Sequence, residues 1–465
     1  MAVRAVRPVA LVVAMLLAVG SYQLSNTMIA PINPAIIASL HTSAGGVGLA
    51  QTLFFLTSAI SAVIVTRVSD WTGRRRALIV SLGALVVAAV ISAVAPGVAV
   101  YVVSRALAGL CGAVYAFCFL ILYEVMPLRQ FSRALAVIAA VKSGLGGVES
   151  VVGGAIADTL GWRGVFWFMA AFALVAIVVA RLVIPEVPVH GRRAMDWPGS
   201  VLIGLGLTGV LVGLAQGGAW GWADARTLAL LIGGVVLLAL FPLAERRHAN
   251  PLIAASRLAS RMSWPLLLTN VLVLAGGLGA TAFVVPLLSQ AAVGYGMSAT
   301  WSAVVFVMPV SAIGFLTAPL AGWLAPRVGW RRLLLVGLAA TVAALVVAAA
   351  GAASPVLVFA MIVVLGGFYT GLVLTALDGL GVLLSPSESR GSLTGLNTAA
   401  FGVGASAGTA VAATVLTAAS GGGPPTMGAF TAALWVAAGL AAVALAVAFL
   451  IPSRGDGTVE EPAAV

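Results

Sequence analysis

Long apolar runs alternate with short polar loops along most of this 465-residue chain. A helix needs about 20 apolar residues to cross the hydrocarbon core of a bilayer. Windows of that length predict fourteen membrane-spanning helices, and Pro31 and Pro34 predict a kink near the end of the first. The predicted spans are 9–36, 47–66, 77–95, 98–122, 133–157, 163–184, 199–217, 226–244, 263–290, 300–325, 333–351, 355–384, 391–418 and 428–451. The polar tail at 453–465 is predicted to be disordered.

Basic residues concentrate in every second loop. With the N-terminus inside the cell, only Arg163 and Arg226 fall in outside loops. Arg105 and Lys142 fall within spans, and the other 20 of the 24 basic residues lie in inside loops or at inner span ends. Loops rich in Lys and Arg stay on the cytoplasmic side. The distribution predicts a multi-pass protein of the cell membrane with both termini in the cytoplasm.

Composition agrees with this pattern, because 62% of the residues are hydrophobic and only 8% are charged. A soluble protein carries about 25% charged residues, so the bilayer must be the solvent for most of this chain. The net charge of +11 is explained by the loop arginines as an orientation signal, and we expect no nucleic-acid partner.

Residues that carry enzyme chemistry are sparse. Cys111 and Cys118 lie seven residues apart in one apolar segment, about 10 Å along a helix, which is too far for a disulfide. The three histidines lie in loops or near span ends and show no metal-ligand spacing. Without a nucleophile elbow or a phosphate loop, the sequence predicts no enzyme, no cofactor and no metal site.

The loop after the second predicted span, RVSDWTGRRRAL at 67–78, resembles the loop between spans 2 and 3 of the major facilitator superfamily. The matching residues are Asp70, Gly73, Arg74 and Arg75. A weaker echo, APRVGWRRLLLVGL at 325–338, follows the tenth span, which indicates an internal duplication.

Three further stretches resemble the fourteen-span drug:proton antiporters of this superfamily. They are LSNTMIAPINPAI at 24–36 in the first span, RALAGLCGA at 105–113 in the fourth, and SGLGGVESVVGG at 143–154 in the fifth. This chain departs from the family patterns at identifiable points. Ser25 stands where the first-span pattern has an acid, Ala108 replaces a glutamine, and Glu149 with Ser150 replaces a Gly-Pro pair.

The resemblance implies an all-α membrane protein with the major facilitator fold, built from two six-helix bundles and an inserted helix pair. We expect a first bundle at 1–185, the inserted pair at 186–262, a second bundle at 263–452 and the tail at 453–465. It also implies that the arginine-rich loop latches the bundles together, with Glu124 at the inner end of the fourth span as a partner for Arg74 or Arg75. The alternative is that the loop is only an orientation signal.

Ionisable groups at membrane depth are costly and usually functional. Arg105 and Glu149 lie about 10–12 Å below the outer ends of neighbouring predicted spans. Equal depth predicts an ion pair that could also carry a proton, and the alternative is a static structural pair. Lys142 and Asp378 both lie in the inner half and could bridge the two bundles, or Lys142 could instead meet a substrate anion or backbone carbonyls. We expect these four residues to form the proton-coupling set.

Sparse polar residues in otherwise apolar spans are the candidate substrate contacts, and helix-to-helix hydrogen bonding is an equally good explanation for each. They are Tyr22, Asn26, Asn33, Asn270, Gln290, Tyr369 and Asn397. Glycines in the fifth span, including Gly147, Gly153 and Gly154, predict close helix approach there.

Together these features predict a monomeric, proton-driven exporter of amphiphilic small molecules, such as drugs or natural products, in a bacterial inner membrane. One alternative is a flippase for lipids or lipid-linked molecules on the same fold. Another is a membrane receptor or scaffold that transports nothing. The partners expected are the small-molecule substrate, protons and membrane lipids.

Overall fold

The computed structural model describes residues 8–186, 197–245, 263–384, 390–421 and 423–452, and every regular element in these ranges is a helix. Thirteen segments of the described chain are long and apolar enough to cross a membrane. The remaining predicted span coincides with a 33-residue helix, Leu128–Leu160, which carries Lys142 and Glu149. The predicted boundaries near 187–196 and 246–262, and the tail from 453, lie outside the described residues.

Eight helices precede the predicted inserted pair. They are α1 (Pro8–Thr27), followed by a 3₁₀ turn (Ala30–Ile32), α2 (Asn33–Ser39), α3 (Ala44–Thr72), α4 (Arg74–Ala93), α5 (Val98–Ala108), followed by a 3₁₀ turn (Gly109–Ala113), α6 (Val114–Val125), α7 (Leu128–Leu160) and α8 (Trp162–Val183). The pair itself is α9 (Trp197–Trp220) and α10 (Ala225–Glu245).

The rest of the described chain forms helices α11 to α19, interrupted by three π-helical stretches. They are α11 (Trp264–Leu278), a π stretch (Gly279–Val284), α12 (Val285–Gln290), α13 (Ala299–Ser302), a π stretch (Ala303–Val307), α14 (Met308–Val328), α15 (Trp330–Ala350), α16 (Pro355–Leu365), a π stretch (Gly366–Val373), α17 (Leu374–Leu383), α18 (Arg390–Ala419) and α19 (Met427–Ala448).

The first membrane segment is broken near its end. α1 stops at Thr27, and the chain passes through the 3₁₀ turn Ala30–Ile32 into α2. Pro31 has no N–H, so the carbonyl of Thr27, four residues earlier, loses its helical donor. The predicted kink is confirmed, and it leaves a backbone acceptor that another element must satisfy.

The two arginine-rich loops have the same backbone geometry. Gly73, between α3 and α4, has φ 89° and ψ 134°, and Gly329, between α14 and α15, has φ 94° and ψ 133°. A positive φ costs glycine least because it lacks a Cβ. This match supports the internal duplication indicated by the sequence.

The end of the molecule away from the arginine-rich loops, called the outer end below, is packed across both halves of the chain. One apolar cluster joins Ile36 of α2 and Phe166 of α8, in the outer half of the first bundle, to Phe283, Phe306 and Phe430 of the second half, and it continues through the second bundle to residues near its inner end, such as Leu334. A second apolar cluster lies almost entirely in the inner halves of α1 and α3–α8. The outer halves of the two bundles thus share a continuous core.

The α9–α10 pair lies against the junction of α3 and α18. Helices α3 and α18 are joined by reciprocal hydrogen bonds between Thr52 and Ser406, in which each hydroxyl donates to the other residue's carbonyl. Thr414 of α18 donates through Oγ1 to the carbonyl of Leu214 in α9. A Cβ on Gly218 would lie 2.9 Å from the Thr414 carbonyl, so glycine permits this close packing.

Candidate functional site

Arg105 of α5 is 1% exposed and lies inside the first bundle. Its Nη1 donates to Ser25 Oγ at 2.9 Å, and its Nη2 donates to the Ser25 carbonyl at 2.8 Å and to Gln51 Oε1 at 3.4 Å. Its guanidinium carbon lies 4.2 Å from the centre of the Phe54 ring. Arg105 therefore holds α1 and α3 together through neutral oxygen atoms and an aromatic face.

Glu149 of α7 is 9% exposed and faces α1. Its Oε2 accepts a 2.6 Å hydrogen bond from Thr27 Oγ1. The Thr27 hydroxyl also lies 2.9 Å from the carbonyl of Gln23. Within the described part of the chain, Thr27 is the hydrogen-bond partner of Glu149, and no basic side chain lies within 4 Å of its carboxylate. Glu149 is thus a desolvated carboxylate held by one hydroxyl.

The predicted ion pair between Arg105 and Glu149 is wrong in this structure. Both residues contact α1, but Arg105 meets Ser25 and Glu149 meets Thr27. The position of a residue along a spanning helix sets its depth in the membrane. It does not set the direction in which the side chain points around the helix axis. Each group therefore reaches α1 and not the other.

Three partner residues were missed by the sequence reasoning: Thr27, Ser150 and Gln51. Ser150 follows Glu149 on α7, and its Oγ lies 2.9 Å from the Thr27 carbonyl and 2.9 Å from the Gly146 carbonyl of its own helix. The Gly146 carbonyl already has a backbone N–H donor within the helix, so the Thr27 carbonyl is the acceptor that needs the hydroxyl. A signal for this contact was present, because Pro31 four residues after Thr27 leaves that carbonyl without a helical donor. Nothing in the sequence pattern singled out Gln51.

A polar chain crosses the second bundle. Asn270 of α11 donates to Asn397 Oδ1 of α18 at 2.7 Å, and Asn397 donates to Asp378 Oδ1 of α17 at 3.1 Å. Asn270 and Asn397 are both 3% exposed. Their mutual contact favours the helix-to-helix explanation over substrate contact for these two residues. The side chain of Lys142 lies outside the described residues, so its link to Asp378 stays a prediction.

Tyr22 lies in an aromatic group beside Arg105. Its hydroxyl is 2.7 Å from Ser58 Oγ, its ring stacks on Phe54 with centroids 5.8 Å apart, and Tyr115 packs edge-on at 5.4 Å. Asn26, one turn along α1, is half-buried. This first-bundle group combines aromatic faces with a few polar atoms, which is the usual make-up of a small-molecule site.

The other predicted substrate contacts lie elsewhere. Asn33 is buried, and its Oδ1 has no hydrogen-bond partner among the described residues. The ring of Tyr369 packs against Gly277, and its buried hydroxyl has no partner in the same part of the chain. Gln290 of α12 donates to the Pro31 carbonyl at 2.9 Å, so it connects the two bundles at the outer end.

The outer end is closed by further contacts between α7 and the second bundle. The Asp158 carboxylate accepts from the backbone N–H groups of Ala299 and Thr300, at 3.2 and 3.0 Å, and from Thr300 Oγ1 at 2.6 Å. A Cβ on Gly154 would lie 2.8 Å from the Ala299 backbone, and one on Gly147 would lie 2.9 Å from Met308. The predicted close approach of the fifth span is confirmed.

At the inner end, the arginine-rich loop makes ion pairs within the first half of the chain. Arg74 Nη2 lies 2.8 Å from Glu124 Oε1, as the sequence predicted, and Arg75 Nη1 lies 3.8 Å from Glu186 Oε1. Arg75 also donates to the carbonyl of Arg181 at the end of α8. The side chain of Asp70 lies outside the described residues, and the latch between bundles stays a prediction.

Residues 15–409 of this chain match the family model for the Major Facilitator Superfamily. The chain belongs to that superfamily. It is therefore a membrane transporter and not an enzyme, and the major facilitator fold predicted from the sequence is confirmed. Its partners are a small-molecule substrate and membrane lipids.

Two relatives and one solved structure illustrate the likeness. The uridine/deoxyuridine transporter of Lactococcus lactis is 32% identical over 85% of this chain and 85% of that protein. The tetracenomycin C resistance and export protein of Streptomyces glaucescens is 29% identical over 87% of this chain and 75% of that protein. The crystal structure of a bacterial homolog of the human lysosomal transporter Spinster, inward-facing and occupied, matches with TM-score 0.67 and 16% identity, covering 95% of this chain and 96% of that one.

Proposed function

We propose that this transporter is a proton-coupled exporter of amphiphilic small molecules that works by alternating access. The observation that carries the proposal is Glu149, a carboxylate at membrane depth whose hydrogen-bond partner among the described residues is one hydroxyl. Burying an uncompensated charge costs free energy, and protonation removes that cost. A carboxylate in this setting is suited to bind and release a proton during a transport cycle.

The Thr27 hydroxyl suits both protonation states of Glu149. It donates to the ionised carboxylate across 2.6 Å. When the carboxyl group carries a proton, that proton can be donated to Thr27 Oγ1, and the Thr27 hydrogen turns to the Gln23 carbonyl 2.9 Å away. The site therefore accepts one proton without leaving a buried donor or acceptor unpaired.

The closed outer end gives the proposed cycle its geometry. Asp158, Gln290 and the close glycine contacts join the two halves there. In the proposed cycle these contacts break when the protein opens outward, and the arginine-rich loop holds the inner end closed in that state. We further propose that the protein acts as a monomer in a bacterial inner membrane, with both termini in the cytoplasm.

The aromatic group formed by Tyr22, Phe54 and Tyr115 supports an amphiphilic substrate. It offers ring faces together with the polar atoms of Ser58 and Asn26. The export of tetracenomycin C named for the Streptomyces relative is consistent with this chemistry.

A second candidate substrate class is a nucleoside. The observation that favours it is the 32% identity to the Lactococcus uridine/deoxyuridine transporter over most of both chains. A nucleoside also combines a flat ring with hydrogen-bonding groups, so the aromatic group would suit it as well.

Transport assays in inside-out vesicles with an imposed pH gradient test the proposal. The panel should contain a planar aromatic antibiotic, uridine and a fluorescent phospholipid. Gradient-driven uptake of the antibiotic supports the exporter, uptake of uridine supports the second candidate, and movement of the phospholipid supports a flippase.

Glu149→Gln should abolish gradient-driven uptake and preserve substrate binding, because glutamine keeps the size of the side chain but cannot exchange a proton at neutral pH. Glu460→Gln, the same change beyond the last described residue, is the matched control and should transport normally. If Glu149→Gln still concentrates substrate at the wild-type rate, Glu149 is not the coupling group.

A further inference from the structure

The break in the first membrane segment lies between the proposed proton site and the closed outer end. Thr27 is the last residue of α1, and its hydroxyl contacts Glu149. Pro31 lies in the 3₁₀ turn that follows, and its carbonyl accepts from Gln290 of the second bundle. Four residues of irregular backbone thus connect a buried carboxylate to a contact between bundles.

Two neighbouring residues of α7 form hydrogen bonds with the hydroxyl and the carbonyl of Thr27. Glu149 accepts from the hydroxyl, and Ser150 donates to the carbonyl. This carbonyl has no helical donor because Pro31 lacks an N–H. At membrane depth an unsatisfied carbonyl is costly, so Ser150 supplies the bond that the proline removes.

The same two positions are where this sequence departs from the antiporter pattern, which has a Gly-Pro pair there. Neither glycine nor proline has a side chain that could bond to Thr27. Glu149 and Ser150 therefore replace the Gly-Pro pair with two side chains that both bond to Thr27, the last residue of α1.

We propose that Thr27 and Ser150 are positioning residues that convert protonation of Glu149 into movement of the α1 break, and thereby release Gln290 and the outer end. The proposal rests on the proton-coupling role proposed for Glu149. While Glu149 is ionised, Thr27 is held to α7 by a charge-assisted hydrogen bond, the stronger kind. When one proton from the aqueous cavity binds the carboxylate, that bond becomes a weaker neutral one, and the Ser150 bond remains as a pivot.

The surroundings of Glu149 leave few other groups to produce this response. Among the titratable side chains of the neighbouring helices, α1 carries Tyr22 and α6 carries Tyr115, and their rings pack edge-on against each other. No described basic side chain of α1, α6, α8, α13 or α14 lies within 4 Å of the carboxylate. Lys142 is on the same helix, about 10 Å away along the axis.

The test measures opening of the outer end against pH in the full-length protein. Spin labels at Leu160, 75% exposed on α7, and Val293, 54% exposed after α12, report the separation of the two halves there. The native residues Cys111 and Cys118 are buried and can be replaced by Ala in the background. We expect a label distance in the wild type that changes with pH along a single titration.

Thr27→Val removes the hydroxyl and keeps the shape of the side chain, and Thr27→Ser restores the hydroxyl. Loss of a hydrogen bond to a charged group costs about 1.5–3 kcal/mol, which corresponds to about one pH unit or more. We expect the midpoint of the Thr27→Val response to move by about one unit toward higher pH, since the ionised carboxylate loses its donor. Thr27→Ser should keep the wild-type midpoint.

Ser150→Ala should reduce the amplitude of the distance change. Its matched control is Ser61→Ala, which removes a serine hydroxyl that likewise donates to a carbonyl of another helix, that of Leu110, away from Glu149. We expect this control to keep the full amplitude.

The outcomes separate this inference from the proposed function. If Glu149→Gln titrates like the wild type, the proton-coupling role itself is wrong. If Glu149→Gln abolishes the response but Thr27→Val matches Thr27→Ser and Ser150→Ala matches Ser61→Ala, Glu149 carries the proton and the α1 break does not transmit it.

Discussion

Arg105 is a buried cation whose described contacts are all to neutral groups. The family acid that would face it is replaced by Ser25, and a hydroxyl, a backbone carbonyl and an aromatic ring take its place. Charge-assisted bonds to neutral oxygens are individually strong, and Arg105 is only 1% exposed. Arg105 therefore holds the outer part of α1 in place through Ser25.

We expect Arg105→Ala to lower the melting temperature far more than Arg163→Ala. Arg163 makes the same kinds of contact, to a Ser39 hydroxyl, the Ala95 carbonyl and the Trp162 ring, but it is exposed. Solvent compensates such losses at the surface, whereas each lost bond to a buried charge costs about 1.5–3 kcal/mol. Fluorescence-detected melting of the two purified variants measures the difference, and equal losses would contradict it.

The same geometry predicts that Arg105 and Glu149 act on stability independently. They contact different residues of α1 and do not contact each other. The coupling energy between Arg105→Ala and Glu149→Gln should therefore stay within about 0.5 kcal/mol in a double-mutant cycle. A larger coupling would mean that the two groups pair in another state of the transporter.

At the scale of elements, α7 is the helix that joins the proposed proton site to the second bundle. It contacts α1 through Glu149 and Ser150, and its outer third approaches α13 so closely that Gly154 meets the Ala299 backbone. This contact depends on backbone proximity, because Gly154 presents a hydrogen atom where another residue would present a side chain.

Gly154→Ala should open the outer end and raise the reactivity of a cysteine placed at Thr300. An added Cβ would lie 2.8 Å from backbone atoms of the second bundle, and backbone cannot yield as a flexible side chain can. Gly83→Ala on α4 is the matched control, since no atom lies within 4 Å of the new Cβ, and alanine favours a helix by up to about 1 kcal/mol over glycine. Unchanged labelling in Gly154→Ala would show that this contact does not keep the end closed.

At the scale of the whole molecule, the α9–α10 pair lies against one of the two junctions between the bundles, where α3 meets α18. The other junction, between α7 and α14, carries the proposed proton site. The pair therefore lies on the opposite side from the proposed coupling path.

The predicted topology can be tested by cysteine labelling. Cysteines at Gly218, in the last turn of α9, and at Asp224, in the turn that follows α9, should react with a membrane-impermeant reagent in intact cells. Cysteines at Arg193 and Arg247 should react only after permeabilisation, because arginine-rich loops stay inside. The reverse pattern would invert every assignment of outer and inner ends made above.

Polar substitutions within α9, such as Gly209→Ser, should lower abundance more than transport per molecule. A Cβ at Gly209 would lie 2.8 Å from the Leu230 carbonyl of α10, so the change disturbs packing of the pair. A changed substrate preference at normal abundance would place the pair in the transport path.

The sequence by itself determined the spans, the Pro31 break, the close glycines of α7 and the Arg74–Glu124 pair. These features depend on local quantities: apolar length against bilayer thickness, a missing N–H, a missing Cβ, and charges brought together by short loops. They also placed Arg105 and Glu149 at similar heights, and the two residues indeed meet Ser25 and Thr27, two positions apart on α1.

Only the tertiary structure decided which groups meet. Arg105 and Glu149 share a depth but bind different residues of α1, and Asn270 pairs with Asn397 from a helix 127 positions later in the chain. The rotation of each helix about its own axis selects these partners. That rotation results from the packing of all the bundle's side chains together, which no local pattern along the chain contains.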